Sequence, residues 1–155
     1  MDFEASGLSK ESYPIEVGLT NGESSFSALI KPMGHWTHWD KNAERVHTLD
    51  QSKLTSDGIK ATTVANILNA ILEGTTVFCD SIEWDGFWLN VLFSDTAIHR
   101  RFEISDIKEL LIEDEKLERY LERKAYIEQS PQHISHRALN DANVIHSSLL
   151  HAIHH

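Results

Sequence analysis

Residues 14–31 read Pro-Ile-Glu-Val-Gly-Leu-Thr-Asn-Gly-Glu-Ser-Ser-Phe-Ser-Ala-Leu-Ile-Lys. Apolar and polar residues alternate over 14–20, and Phe26, Ala28 and Ile30 share one face of a second run over 24–31. Alternation with a period of two is typical of strands that bury one face. Asn21-Gly22 lies between the two runs and is a turn signal. The sequence therefore predicts an antiparallel hairpin.

The chain beyond the hairpin is mainly helical in its periodicity. Apolar residues at helical spacing predict helices over 58–73, 84–94, 106–128 (one solvated helix or a pair) and 137–153. Thr75-Thr76-Val77-Phe78-Cys79 follows Gly74 and predicts a short buried strand entered from a helix. A hairpin followed by helices that alternate with further strand predicts an α/β sandwich with a mixed sheet.

Composition places the chain among globular proteins of one domain, spanning 1–155. Its residues are 41% hydrophobic and 25% charged, and no apolar run approaches the length of about 20 residues that a membrane helix needs. The lone Cys79 cannot form an internal disulfide, so we expect a reducing cytoplasm and no membrane association. The formal net charge of −10 argues against a general electrostatic grip on nucleic acid.

Carboxylates at two places could hold metal ions. Asp2 and Glu4 are two residues apart, so both side chains leave the same face of an extended segment. Such a pair alone is common by chance in an acidic chain. Asp85 begins a helix and points away from its apolar stripe, although an acidic residue there could simply complement the helix N-terminus. Asp80, at the end of the preceding strand, is an alternative for the same role.

His136 and Asp141 are five residues apart, which corresponds to about 140° of rotation around a helix. The two side chains cannot share one helix face. They can converge if the helix begins at Arg137 or Ala138 and His136 lies in the preceding loop, with Ser135 as a candidate cap. The spacing therefore predicts a loop-to-helix boundary at this point.

Three segments together resemble the motifs of the DEDDh exonucleases, a family of the ribonuclease H-like superfamily that includes oligoribonuclease, ribonuclease T and proofreading subunits. They are 2–8 (Asp-Phe-Glu-Ala-Ser-Gly-Leu), 84–89 (Trp-Asp-Gly-Phe-Trp-Leu) and 136–142 (His-Arg-Ala-Leu-Asn-Asp-Ala). Val46-His47-Thr48-Leu49 is similar to a family segment that borders the terminal nucleotide, with Thr48 at a position where glycine is usual. The family also has several apolar residues before its first aspartate, whereas only Met1 precedes Asp2.

The resemblance implies a fold, a site and a reaction. The fold is a ribonuclease H-like three-layer sandwich with a mixed central sheet flanked by helices. The implied ligands of two divalent cations, Mg or Mn, are Asp2, Glu4, Asp85 and Asp141, with His136 as the general base that completes the catalytic set. The implied substrate contacts are Ser6, Gly7, Leu8 and His47.

The implied reaction is 3′-to-5′ hydrolysis of phosphodiester bonds, which releases nucleoside 5′-monophosphates from the 3′ ends of single strands. A small acidic domain has little surface for a long duplex, so we expect short single strands, with RNA slightly favoured over DNA. A homodimer is also expected on the resemblance alone. Two alternatives stay open: a catalytically inactive member of the fold that binds nucleic acid or protein, and a partner-binding helix over 106–128 with the carboxylates as surface residues.

Overall fold

The structure is a computed structural model that describes residues 1–154, which form an α/β fold with a mixed sheet and six α-helices. The strands are β1 (Asp2–Ala5), β2 (Pro14–Thr20), β3 (Ser25–Lys31), β4 (Ile59–Lys60), β5 (Thr76–Cys79) and β6 (Glu103–Asp106). The helices are α1 (Lys41–His47), α2 (Gln51–Asp57), α3 (Ala61–Leu72), α4 (Ile82–Asp95), α5 (Asp114–Glu128) and α6 (Ala138–His154). A 3-10 turn covers Ile107–Leu110. No helix within residues 1–154 has the length and apolar character needed to cross a membrane.

The predicted hairpin is confirmed, because β2 and β3 pair antiparallel with Val17 opposite Ala28. The connection is longer than the two residues that Asn-Gly indicates. The amide of Asn21 donates to the carbonyl of Ser24 at 3.1 Å, and the Asn21 side chain accepts hydrogen bonds from the amides of Glu23 and Ser24. Asn21 therefore closes the turn with its side chain, which is a common role for asparagine in loops.

The mixed sheet is also confirmed. β1 pairs antiparallel with β2, with Asp2 opposite Gly18 and Glu4 opposite Glu16. β4 pairs parallel with β3, and β5 pairs parallel with β6 in a second, two-stranded ladder. The amino group of Met1 donates to the carbonyl of Phe78 at 2.8 Å, so β5 lies beside the start of β1 and the two ladders adjoin.

Helices cover both faces of the strands. Phe3, Ile15 and Val17 belong to one buried cluster with apolar residues of α3 and α4. On the opposite face, a side chain at Gly18 would overlap the backbone at the start of α6, so this helix lies directly on β2. α5 packs against α6 in a second buried cluster that contains Tyr120. The face under α6 is the one that carries Asp2 and Glu4, because residues alternate along a strand.

Several element boundaries differ from the predicted ones. The helix predicted over 58–73 begins at Ala61, because Ile59 and Lys60 pair with β3. The helix predicted over 84–94 begins two residues earlier, at Ile82. The segment 106–128 is neither one helix nor a helix pair, since it contains the end of β6, the 3-10 turn and α5. α5 docks on α6, so the segment is part of the fold rather than a free partner-binding helix.

Candidate metal centre

β1 presents two carboxylates on the face opposite the core. Phe3 and Ala5 are buried, whereas Asp2 and Glu4 are partly buried and alternate with them in sequence. The Oδ2 atom of Asp2 is fully shielded from solvent and has no hydrogen-bond partner among residues 1–154. A buried carboxylate oxygen without a donor is costly, so a cation is the natural group to face it.

Asp85 reaches β1 from the first turn of α4. It is 1% exposed, and its Oδ1 accepts a hydrogen bond from the amide of Phe3 at 3.1 Å. Its other oxygen, Oδ2, is buried and has no partner in the described part of the chain. The contact with Phe3 holds the Asp85 carboxylate beside the backbone of β1, next to Asp2.

Asp80 lies in the same group rather than in place of Asp85. One carboxylate oxygen each from Asp2, Asp80 and Asp85 lies within 4.8 Å of the others. Asp80 differs from the other two because its Oδ2 accepts hydrogen bonds from Lys124 and Tyr120 of α5. The sequence offered Asp80 and Asp85 as alternatives, and the structure brings both to Asp2.

His136, Glu4 and Asp141 form a second group, in which one possible ligand atom from each lies within 4.8 Å of the others. α6 begins at Ala138, so His136 lies in the preceding loop, as the spacing predicted. His136 has a left-handed backbone (φ +59°), and its amide donates to Oδ2 of Asp141 at 2.8 Å. The left-handed residue turns the chain so that a loop residue and a helix residue face the same carboxylate of β1.

The pKa values of the carboxylates show the electrostatic strain at this centre. Burial, with the neighbouring carboxylates adding, raises the pKa of Asp2 well above its usual range. Burial and the charge of Asp141 raise the pKa of Glu4 to about 8, and burial raises that of Asp85 to about 7. The pKa of Asp141 is also raised, mainly by burial. Burial and mutual repulsion therefore disfavour the ionised forms of these carboxylates at neutral pH unless a cation compensates their charges.

The donor set fits hard divalent cations. Asp2 and Asp85 each keep a buried oxygen without a partner in the described chain, and the two groups together contain five carboxylates and one imidazole. Oxygen-rich sites suit Mg²⁺ and Mn²⁺, whereas structural zinc sites are built from sulfur and nitrogen ligands. The residues that could hold such ions are therefore Asp2, Glu4, Asp80, Asp85 and Asp141.

Two of the three neighbouring residues that were predicted to contact substrate are engaged within the protein. Ser6 is fully buried, and its hydroxyl accepts the amide hydrogen of Tyr13 and bonds to His38 Nδ1 at 3.0 Å. A side chain at Gly7 would lie 2.7 Å from Cε1 of His38, so the glycine makes room for that ring. Leu8 is 69% exposed, and its side chain remains free for a contact with a ligand.

His47 is the last residue of α1 and is 2% exposed. Its Nδ1 accepts the amide hydrogen of Leu49 at 3.0 Å, and its ring packs edge-on against Trp39. Its Nε2 is buried without a partner in residues 1–154. Burial lowers the pKa of His47, which favours the neutral ring. The role predicted for it in substrate binding stays a prediction.

Two charged residues at this centre were missed by sequence reasoning. Lys124 of α5 binds Asp80, and Glu16 of β2 binds Arg137 and the amide of Ala138. Glu16 takes the helix-capping role that was predicted for Ser135. A signal for Glu16 was present, since it is the one charged residue of β2 and is followed two positions later by a glycine.

Comparison with known proteins gives a structural likeness without a sequence likeness. No protein-family model matches the chain, and no curated protein sequence matches it. Among solved structures, the zinc-bound form of the Escherichia coli exonuclease I complex with single-stranded DNA has a TM-score of 0.69 and 10% identity, covering 94% of this chain and 38% of that one. A product-bound structure of exonuclease I also has a TM-score of 0.69 and 10% identity, covering 95% and 41%.

Exonuclease I from Methylocaldum szegediense has a TM-score of 0.66 and 15% identity, covering 92% of this chain and 37% of that one. The present chain thus spans about two fifths of the length of these exonucleases. At such identities the likeness shows a shared fold.

Proposed function

We propose that this chain is a metal-dependent 3′-to-5′ exonuclease that releases nucleoside 5′-monophosphates from the 3′ ends of single-stranded nucleic acid. The observation that carries the proposal is the pair of ligand groups at the carboxylates of β1, Asp2 with Asp80 and Asp85, and Glu4 with His136 and Asp141, in a fold shared with exonuclease I. The proposal includes a ribonuclease H-like three-layer sandwich and one exonuclease domain over residues 1–155.

The proposal places two divalent cations at the two ligand groups. Asp2 and Asp85 are the proposed ligands of one ion, with Asp80 beside them, and Glu4 and Asp141 are the proposed ligands of the other. When bound, two Mg²⁺ or Mn²⁺ ions would offset charge on the attacking and leaving oxygens of a phosphodiester and make water more acidic. They would also offset four of the carboxylate charges in a chain with a formal net charge of −10. The local repulsion of phosphate would fall accordingly.

His136 is the proposed general base. It is exposed, so a water molecule and a substrate can reach its ring, and it lies within reach of both Glu4 and Asp141. Imidazole is the side chain that exchanges a proton most readily near neutral pH. His136 would take a proton from the attacking water, while the bond from its amide to Asp141 keeps the loop in place.

The test is mononucleotide release from labelled single-stranded RNA and DNA with Mn²⁺ or Mg²⁺. We expect His136→Asn to lower turnover about 10²–10⁴-fold, and Asp141→Asn to abolish it. Asparagine is chosen at position 136 because it tolerates a left-handed backbone, so the loop is kept. His35→Asn is the control, because His35 lies on the surface and bonds to Asp95 rather than to the carboxylate groups.

Full activity of Asp141→Asn, or activity that survives EDTA, would contradict the proposal. Comparing the two labelled strands also decides between RNA, which sequence reasoning slightly favours, and DNA, which is bound in the exonuclease I structures.

A second candidate is a catalytically inactive protein of the same fold that binds nucleic acid or protein. The net charge of −10 favours it, and so does Lys124, whose ammonium already neutralises Asp80 without a metal. The same assay separates the two candidates, because this one gives retention of the labelled strand or of a protein partner without any mononucleotide product in Mn²⁺.

A further inference from the structure

Glu16 is a buried charged residue of β2. It is 4% exposed and lies directly opposite Glu4 in the pairing of β1 with β2. A buried carboxylate beside another carboxylate is unfavourable unless it is paired and hydrogen-bonded. Its partners therefore explain why the strand carries a charge at this position.

Within residues 1–154, the Glu16 side chain accepts hydrogen bonds from Arg137 and Ala138, where α6 begins. Arg137 donates from Nη2 at 2.8 Å and from Nε at 3.1 and 3.2 Å, so the guanidinium binds both carboxylate oxygens. The amide of Ala138 donates to Glu16 Oε2 at 3.2 Å. A carboxylate thus satisfies one of the free amides of the helix N-terminus and pairs with the adjacent side chain at the same time.

Gly18 completes the surface on which the helix begins. It lies two residues after Glu16, on the same face of β2, and a side chain there would overlap the backbone of Ala138 and Leu139. We call Glu16 and Gly18 together the helix seat. Glu16 fixes the first turn of α6 by hydrogen bonds, and Gly18 lets its backbone approach the strand.

The helix seat constrains two of the three residues of the second ligand group, His136 and Asp141. His136 immediately precedes Arg137 and has a left-handed backbone, and its amide is bound by Asp141. Asp141 lies one turn into the same helix, where its amide donates to the carbonyl of Arg137. A shift at Arg137 or Ala138 would therefore move His136 and Asp141 together relative to Glu4.

We propose that Glu16 is a positioning residue that acts through Arg137 and the amide of Ala138 to hold His136 and Asp141 against Glu4. The catalytic meaning of this inference rests on the proposed exonuclease function. The positioning itself does not, because it concerns the geometry of the protein alone. A residue with a merely structural role would lower stability but leave the first turn of α6 and the turnover of the folded protein unchanged.

The test compares Glu16→Gln with Glu44→Gln as the matched control. Like Glu16, Glu44 is a carboxylate that accepts a hydrogen bond from a cationic side chain. Its donors are the Lys41 ammonium and the Trp39 indole, and it lies in α1. Amide hydrogen exchange followed by NMR is the first readout, and it needs neither metal nor substrate. We expect exchange at Ala138 to become about tenfold faster or more in Glu16→Gln, because a glutamine cannot satisfy Arg137 and this amide equally well. Glu44→Gln should leave it unchanged.

Turnover is the second readout, measured at a temperature where circular dichroism shows that each variant is folded. We expect kcat of Glu16→Gln to fall about 10- to 100-fold, because sub-ångström misplacement of reacting groups is costly, while KM stays within about twofold. Arg137→Gln should give a similar loss. The kcat of the double variant should be little lower than that of either single variant, because both substitutions break the same interaction between Glu16 and Arg137.

Arg137→Lys is a second variant if Glu16→Gln does not fold, because the Arg137 side chain is 39% exposed and tolerates substitution. Lysine keeps the positive charge but lacks the guanidinium group that binds both carboxylate oxygens of Glu16. It should speed exchange at Ala138 and lower kcat less than Arg137→Gln. Unchanged exchange at Ala138 in both Glu16→Gln and Arg137→Lys would overturn the positioning role, as would unchanged kcat alongside a lower melting temperature. A wild-type protein that releases no mononucleotide contradicts the exonuclease proposal, whereas the exchange rate at Ala138 still tests the positioning role in a protein without activity.

Discussion

Asp85→Asn should stabilise the metal-free protein and at the same time remove its response to divalent cations. The Asp85 carboxylate is 1% exposed, its Oδ2 has no partner among residues 1–154, and it faces Asp2 and Asp80. Asparagine has nearly the same shape without the charge. Its side-chain oxygen can still accept the amide hydrogen of Phe3, which Asp85 accepts at 3.1 Å.

The magnitude follows from the pKa of Asp85, which burial raises from 3.8 to about 7. This is a difference of roughly three pH units at about 1.4 kcal/mol each, so ionising the folded protein at pH 8 costs about 4 kcal/mol. Replacing a charged acceptor of the Phe3 amide by a neutral one returns about 1 kcal/mol of that gain. Asp85→Asn should therefore raise the free energy of unfolding at pH 8 by about 3 kcal/mol in EDTA.

The pH dependence has a definite sign. Because the folded-state pKa of Asp85 lies above the unfolded one, the folded protein holds this proton more tightly. The resulting stability is fully present below about pH 4 and is lost as the pH rises through about 7. The Asp85→Asn protein lacks this part of the decline, so its advantage over wild type should grow between pH 4 and 8 and then level off.

Urea unfolding at several pH values, in EDTA and in Mn²⁺, measures both effects. Ligand binding at about 100 times Kd adds about 2.7 kcal/mol to wild type, and Asp85→Asn should gain much less. Asp95→Asn is the control, because Asp95 accepts the Trp36 indole hydrogen outside the carboxylate groups and should only lose stability when its charge is removed. An Asp85→Asn protein that is no more stable than wild type at pH 8 in EDTA would contradict the cost assigned to the buried charge. An equal gain of both proteins from Mn²⁺ would contradict the role of Asp85 as a metal ligand.

Three further substitutions test separate parts of the structure. Gly18→Ala should lower the free energy of unfolding in urea by about 1–3 kcal/mol, because the added methyl group overlaps the start of α6. Gly34→Ala is the control, since the added group meets no atom within 4 Å beyond its chain neighbours, and its free energy of unfolding should stay within about 0.5 kcal/mol of wild type. Lys124→Met should cost about 1–3 kcal/mol in EDTA by leaving the Asp80 carboxylate with the Tyr120 hydroxyl but without its cation. Mn²⁺ should recover most of this loss, because the freed carboxylate can join the metal ligands. Leu8→Ala should raise KM for an oligonucleotide about tenfold in steady-state kinetics with an unchanged melting temperature, since the side chain is exposed; an unchanged KM would remove Leu8 from the substrate contacts.

Patterns that repeat along the chain were predictable, and so was the boundary between the last loop and α6. Period-two alternation located β2 and β3, and a rotation argument placed His136 outside the helix that carries Asp141. Both inferences use local geometry only. The convergence of Asp2 and Glu4 on the face beneath α6 follows from the same alternation.

The short helices α1 and α2 were missed because each spans seven residues and buries only one, so no periodicity can appear. Their signals were the capping side chains of Asp40 and Asp50, which accept amide hydrogens of the first turn. β6 was missed because its residues alternate little and its pairing depends on β5. Local propensity alone does not separate such segments from loops.

Partners distant in sequence account for the rest of what was missed at the site. Glu16 meets Arg137 across 121 residues, and Asp80 meets Lys124 across 44. A single sequence does not indicate which of its distant positions come into contact. The choice between Asp80 and Asp85 could not be settled in advance for the same reason, because it is α5 that distinguishes the two carboxylates.

The two ligand groups also make the proposed metal ions cross-links between distant parts of the chain. Residues 2–4, 80–85 and 136–141 supply the ligands, so each bound ion would close loops of about 80 to 140 residues. Closing loops of this length restricts the unfolded chain much as a disulfide does. The chain has only one cysteine, so a bound divalent cation, rather than a disulfide, would cross-link β1 to α6. The rate of protease cleavage between α5 and α6 would then report whether this cross-link is present.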